Sequence, residues 1–311
     1  MLKERKTRMS HKSGVAPYLR NGLGGKIFNV FLYSFMLLFS FIMIYPFWNQ
    51  MVISLNQGLD TQRGGLYFWP RIWTTENFRF VFNSAGLMRG TVVSVARSVV
   101  GTATHVVATG LLAYAISVQG FSGRRIVRIV FLASMYFGGG LIPFYLVILN
   151  LGLLNTFHMY WLPGMFGAFH MLLIASYIQG LPDSMAESAR IDGAGEFTIF
   201  FRIILPLALP VIAVVSIMTA VGHWNSWFDV IVFNPAGNWD TLQVHLRRIL
   251  MEAELAGQLL LDQQQQEAMR NLTTASVRAA TTMIVTIPIV CVYPFFQKYF
   301  VGGITLGAVK G

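Results

Sequence analysis

Charge is the first thing this chain of 311 residues has little of. Asp, Glu, Lys and Arg make up 12% of it, against roughly 25% in soluble proteins, while 55% of residues are hydrophobic. Mean hydropathy is +0.57. One core could not hide that much apolar surface from water. Disorder is excluded too, because disordered chains are poor in aromatics and Phe alone supplies 25 residues here. Cys291 is the only cysteine, which rules out an intrachain disulfide and leaves the redox compartment unread. No G-x-x-x-x-G-K-[ST] phosphate loop is present, so energy must come from a partner or from an ion gradient. H-E-x-x-H is absent as well, and His105, His158, His170, His223 and His245 show no ligand-like spacing. They read as packing or pore-lining residues, and no metal is expected.

What is present is a series of long apolar runs. A spanning helix needs about 20 mostly apolar residues, and six segments qualify: 27–48, 90–118, 129–151, 160–180, 203–228 and 279–300. The fold class is therefore all-α, a polytopic membrane protein with six transmembrane helices. Breakers fall inside several of the spans, among them Pro46, Gly138-Gly139-Gly140, Pro143, Pro163, Pro206, Pro210, Pro288 and Pro294. Such residues are tolerated where neighbouring helices or a wet cavity satisfy the freed backbone groups, which favours a transport bundle over a plain anchor.

The net charge of +10 would suit nucleic acid, but its placement is that of a topology signal. Fourteen Lys and Arg fall in residues 1–26, the turn at 124–128, the loop after span four and the tail; eight fall on the other side, in longer loops. Both termini are expected to be cytoplasmic, with 1–26 a basic tail, 27–311 the transmembrane domain (core 88–300), 181–202 an internal loop, and 49–89 and 229–278 external loops. The start reads as a retained span, since its apolar stretch is too long for a signal peptide and ends in Tyr45-Pro46-Phe47-Trp48-Asn49. In 229–278, Leu242, Leu246, Ile249 and Leu250 recur at helical spacing, before a Gln263–Gln266 run. A docking surface for an external partner and a helix capping the bundle both fit that pattern.

The loop after span four carries four of the thirteen acids, Asp183, Glu187, Asp192 and Glu196. Ser184 and Glu187 have the spacing of a capping box, and Gly193 and Gly195 can end the short helix in a sharp turn. Phe197, Phe200 and Phe201 are expected to begin a second apolar face. A helix–turn–helix with an acidic and apolar surface suits a cytosolic partner, although a solvated loop has the same composition.

Glu187-Ser188-Ala189, then Gly193, then Ile203-Ile204-Leu205-Pro206 resembles the signature loop of binding-protein-dependent ABC importer permeases, with Ser188 in place of an alanine. Asp192, Ala194, Leu112-Ala113-Tyr114-Ala115, Leu153-Leu154-Asn155-Thr156 and the tail from Gln297 to Gly311 are similar to the carbohydrate branch, the smaller permease subunit of oligosaccharide importers in particular. The resemblance covers nearly the whole chain after residue 26. It implies a half-channel in the bacterial cytoplasmic membrane that pairs with a second homologous permease, two ABC ATPases and an extracytoplasmic substrate-binding protein. Glu187, Ser188, Ala189, Asp192, Gly193, Ala194, Leu205 and Pro206 would couple it to the ATPases. ATP and Mg would be bound by those partners and no cofactor by this chain; membrane lipid surrounds it and nucleic acid has no part. It would be no enzyme.

Two other classes compete. A stand-alone secondary carrier for a small polar solute is weakened because all thirteen acids lie outside the six spans, where ion-coupled carriers usually place ionisable groups. An intramembrane protease would need Gly120-Phe121-Ser122-Gly123 beside a buried base, yet this stretch adjoins Arg124-Arg125 in a turn. Arg97 is the one charge within the second span. It could attract an anionic or hydroxyl-rich substrate, snorkel, or pair with a partner subunit. Trp224, Asn225 and Trp227 could stack on sugar rings or mark the membrane interface.

Overall fold

A computed structural model describes residues 23–258 and 272–307. The basic segment before residue 23, the Gln263–Gln266 run and residues 308–311 lie outside the described residues. The first described element is α1 (Leu23–Ser54), followed by the short helices α2 (Gly58–Gln62) and α3 (Glu76–Phe82) and the long α4 (Leu87–Ser117). α5 (Arg124–Tyr136) and α6 (Leu141–Asn150) come next, then a 3-10 turn (Phe157–Tyr160) and α7 (Ala168–Ile178). The loop after α7 holds α8 (Ser184–Ile191) and α9 (Glu196–Ile199), which runs through a π turn (Phe200–Ile204) into α10 (Leu205–Leu207). α11 (Leu209–Asn225), α12 (Phe228–Phe233), α13 (Leu242–Gln258) and α14 (Thr274–Gly307) complete it. Among the described residues the only β pairing is the isolated bridge between Asn56 and Trp73.

Of the six apolar segments, α1, α4 and the first part of α14 are long and apolar enough to cross a membrane unbroken. The other three depart from the straight spans expected. Segment 129–151 is split into α5 and α6 by Phe137–Gly140, where Gly140 takes φ +79°. Segment 160–180 starts as irregular chain and becomes helical only at Ala168. Segment 203–228 bends by 84° between Leu207 and Leu209, flanked by Pro206 and Pro210. A proline removes a helix hydrogen bond and crowds the preceding turn, so the bend falls where the sequence puts two of them.

α4 is the hub, because its small residues let other elements approach closely. A side chain at Gly90 would overlap the His245 ring of α13, and one at Gly101 would overlap His223 of α11. Gly110 lies against Phe200. Towards one end, Ala113, Ile116, Met171, Ile174, Phe200 and Val215 form a buried core. Towards the other, Val81 and Leu87 pack with Leu242, Leu246, Ile249 and Ala253 of α13 and with Val277 and Ala280 of α14. The apolar stripe of α13 is thus spent on capping the bundle, which decides between its two readings. α1 packs along α14 and its large side chains are exposed.

The segment between α1 and α3 is held together by polar contacts. Buried Asn56 and Asn77 satisfy its backbone: Asn77 Nδ2 donates to the Ser54 and Asn56 carbonyls, both at 2.9 Å. Arg71 Nε donates to Asp60 at 2.8 Å and holds that carboxyl below its usual range.

Gly90→Val should push α13 off α4 and cost about 1–3 kcal/mol, the usual penalty of overpacking. His245→Ala in the same chain removes the obstructing ring and should restore most of the loss. Thermal unfolding in detergent measures both, and no restoration would contradict the packing.

Candidate functional site

The loop between α7 and α10 is built by α8 and its exit. Ala186 and Ala189 face inward and pack, with Ala194, against the core between α4 and α7. Ser184, Met185, Glu187, Ser188, Ile191 and Asp192 face outward. The helix does begin at Ser184, but the expected capping box is not formed: Asp183 stands at the cap and no side chain bonds the first amides. Glu187 lies in the first turn, where a carboxylate suits the helix dipole. Ser188 Oγ donates back to the Ser184 carbonyl at 2.8 Å.

The exit is as the glycine spacing requires. Gly193 has φ +80°, and its N–H donates to the Arg190 carbonyl at 3.0 Å, while the Ala194 N–H donates to the Ala189 carbonyl at 2.9 Å. Together these two bonds are a Schellman closure, which satisfies the carbonyls at a helix end. Beyond it the expected apolar face of three phenylalanines is divided. Phe200 is buried among Tyr114, Gly110 and Phe201, whereas Phe197 is 72% exposed. Ile191, at 86% exposure, stands with Phe197, Glu187 and Asp192 on the open side of the turn. Leu205 and Pro206 follow at the start of α10.

A three-residue clamp ties this loop to α4. Arg190 Nε donates to Glu196 Oε1 at 2.7 Å, and the Tyr114 hydroxyl donates to Glu196 Oε2. The arginine hydrogen bond, and after it that of the tyrosine, holds the Glu196 carboxyl below its usual range. Nothing in the sequence joins Tyr114 to Glu196, which are 82 positions apart.

The second region is the buried charge near the opposite end of α4. Arg97 is 3% exposed and pairs through Nη2 with Asp229 of α12. Its Nε donates towards His223 Nδ1 at 3.4 Å, and its guanidinium sits 4.5 Å over the Tyr160 ring. Arg97 is therefore neither snorkelling nor free. Asp229 follows segment 203–228 by one residue and folds back into the bundle, so an acid does reach the interior.

The aromatic–polar cluster is dispersed. Trp224 turns inward, its Nε1 donating to the Val285 carbonyl at 3.2 Å. Asn225 and Trp227 are exposed, with Gln243 Nε2 3.5 Å from Asn225 Oδ1 and the Arg247 guanidinium 4.0 Å above the Trp227 ring. One pairing escaped the sequence: His105 and His170 meet at 2.7 Å, from positions 65 apart. No group of three or more potential metal ligands occurs among the described residues.

Comparison with known proteins gives the class to which these features belong. The chain is 32% identical over 287 residues to the polygalacturonan/rhamnogalacturonan transport system permease protein YtcP of Bacillus subtilis (strain 168), covering 92% of this chain and 99% of the relative. It is 33% identical over 296 residues to the protein LplC of the same organism, covering 94% and 98%. The arabinooligosaccharides transport system permease protein AraQ of Halalkalibacterium halodurans is 28% identical over 279 residues, covering 88% and 93%. A solved bacterial ABC transporter involved in the import of the acidic polysaccharide alginate superposes with a TM-score of 0.79 at 25% identity, covering 90% of this chain and 99% of that one. No family model matches. The protein is a membrane-embedded transport subunit. It belongs to the permease subunits of binding-protein-dependent ABC importers, in the carbohydrate-uptake branch.

The clamp makes a pH prediction. A carboxyl whose folded pKa is depressed stabilises the fold fully above its unfolded pKa and loses that contribution as pH falls through the folded one. The amides of 189–196 should thus stay protected above the ordinary glutamate range and lose protection progressively as pH falls through and below it. In Glu196→Gln, protection should be lower at neutral pH and flat across the range; an unchanged profile would leave the clamp without effect.

Proposed function

We propose that this chain is one half of the transmembrane channel of an ATP-driven importer, carrying an oligosaccharide inward across the bacterial cytoplasmic membrane. Its loop 187–206 couples it to cytosolic ATPases, which hold the ATP and Mg; an external binding protein delivers the sugar, and both termini lie inside. The observation that carries this reading is the exposed surface of Glu187, Ile191, Asp192 and Phe197, set on a turn closed by Gly193 and clamped to α4. An acidic rim around apolar side chains is the composition of a protein-docking patch rather than of a solvated loop.

The break in segment 129–151 supports a second permease. Phe137–Gly140 is non-helical, and its four residues are exposed in this chain. Unpaired backbone inside a bilayer is tolerated only against protein or a wet cavity. That face therefore turns towards the other permease and the path between them. The substrate follows from the relatives' names: polygalacturonan and alginate are uronate polymers, so uronate-bearing oligosaccharides are the first to test.

With the ATPases and binding protein reconstituted, Gly193→Val should lose uptake and binding-protein-stimulated hydrolysis, because a side chain at positive φ is strained by about 1 kcal/mol or more. Glu187→Lys should do the same by reversing a charge on the docking face. Normal uptake with normal stimulation in both variants would sink the assignment of coupling to this loop.

Orientation is checked separately. Single cysteines at Asp192 and Glu252, in a chain with Cys291 replaced, are treated with an impermeant thiol reagent on intact cells. Glu252, exposed on α13, should label and Asp192 should not; the opposite pattern would invert the topology.

A further inference from the structure

A cleft of about 1970 Å³ opens between α4, α5, α7 and α8. Its deep wall is apolar, formed by Ala108, Leu111, Leu112 and Ala115 of α4 with Ile129 and Leu132 of α5. From Ala108 to Val118 the wall spans ten residues, or about 15 Å at helical rise. That is roughly the hydrocarbon depth of one leaflet, half of about 30 Å.

The rim has a different chemistry. Arg124, Arg125 and Arg128 line it from the first two turns of α5. Neither an ion pair nor a side-chain hydrogen bond engages any of the three among the described residues, and Arg128 Nε is buried with no partner. α5 has no acid in its first turn, so the positive end of its dipole adds to the same field. Asp183 and Glu187 line the facing rim on α8 but do not reach ion-pair distance of α5, and Glu196 is engaged by Arg190 and Tyr114.

We propose that this cleft binds an anionic phospholipid of the adjoining leaflet, with its phosphate on Arg124, Arg125 and Arg128 and an acyl chain along α4. Basic pockets between spans at the cytoplasmic side suit anionic headgroups. A free phosphate would leave the apolar wall beneath the arginines uncovered. Arg128 is the only one of the three with a buried unpartnered nitrogen, so a small shift of its side chain towards a phosphate in the cleft would satisfy a group that the protein leaves unpaired. The proposal needs the membrane-spanning fold but not the coupling role of α8, so either can fail without the other.

The test uses the assembled importer in nanodiscs containing phosphatidylglycerol and phosphatidylcholine in equal amounts. Native mass spectrometry after mild delipidation counts retained lipid. Wild type should retain phosphatidylglycerol selectively, and retention should weaken roughly fivefold for each arginine changed to Gln. Ala115→Trp, which fills the cleft with the arginines intact, should expel the lipid too. In unmodified protein, phosphatidylglycerol with a photoactivatable acyl chain should crosslink to 108–115 of α4. Three results would overturn the proposal: equal retention of the two lipids, retention unchanged in both variants, or crosslinks confined to other surfaces. High-yield disulfide trapping of Leu132→Cys to the second permease would do so as well, by giving the cleft to protein.

Discussion

A backbone amide inside a bilayer has no water to bond to, and an unsatisfied one there costs several kcal/mol. Three of the six apolar segments of this chain break, so three sets of freed groups need partners, and much of the fold is the answer to that need. For the irregular stretch before α7 the partners come from α4. The Gly164 carbonyl meets His105 Nδ1 at 2.8 Å, and since a carbonyl only accepts, that nitrogen carries the proton. Thr109 serves twice, donating to the Met165 carbonyl and accepting from the Gly167 N–H, each at 3.2 Å. The bend at Ala208 is closed by its own N–H donating to the Ile204 carbonyl at 2.8 Å. At Phe137–Gly140 the Phe137 N–H still donates to the Ala133 carbonyl at 2.9 Å and the Gly140 carbonyl accepts from the Phe144 N–H at 3.4 Å, so only the groups between them lack a backbone partner among the described residues.

The same solvent sets the terms for charge. An arginine stays charged even when buried, so Arg97 at 3% exposure needs a counter-charge in a low-dielectric bundle, and Asp229 reaches it only because the chain leaves the helix after Asn225 and restarts at Phe228. The break at Ser226 and Trp227 is thus what turns the acid inward. A buried pair of this kind is weak evidence of stability but strongly resists loss of one member. It fixes α4, α11, α12 and the Tyr160 turn at one point, and the fixation matters more than any net energy.

What could be read from the sequence follows the range over which each cause acts. Hydropathy is local, so the six apolar segments and the amphipathic face of α13 were legible. Gly193 was legible because a helix exit has a short signature, and the Schellman bonds span only Ala189 to Ala194. The capping box misled because Ser184 and Glu187 have the right spacing, but the chain arrives with Asp183 in helical conformation, φ −61° and ψ −30°, which denies Ser184 the extended geometry of a cap. The phenylalanine trio was divided by the π turn, which shifts the angular register just where Phe200 and Phe201 fall. Pairings at separations of 65, 82 and 132 positions carry no local signal at all, and they include His105–His170, Tyr114–Glu196 and Arg97–Asp229.

All three of those long-range pairs have one member on α4. From Arg97 to Tyr114 is 17 positions of unbroken helix, about 25 Å at 1.5 Å per residue. One end is fixed to α11 and α12 by a buried ion pair, the other to α8 and α9 by the Glu196 clamp, with the histidine contact between them. A helix held at three points and packed through glycines has little freedom to bend locally. A displacement of α8 must then either break the Tyr114–Glu196 contact or carry α4 with it, and with α4 the chain around Arg97. The exposed side of α8 and the buried charge are thus tied to two ends of one rigid element.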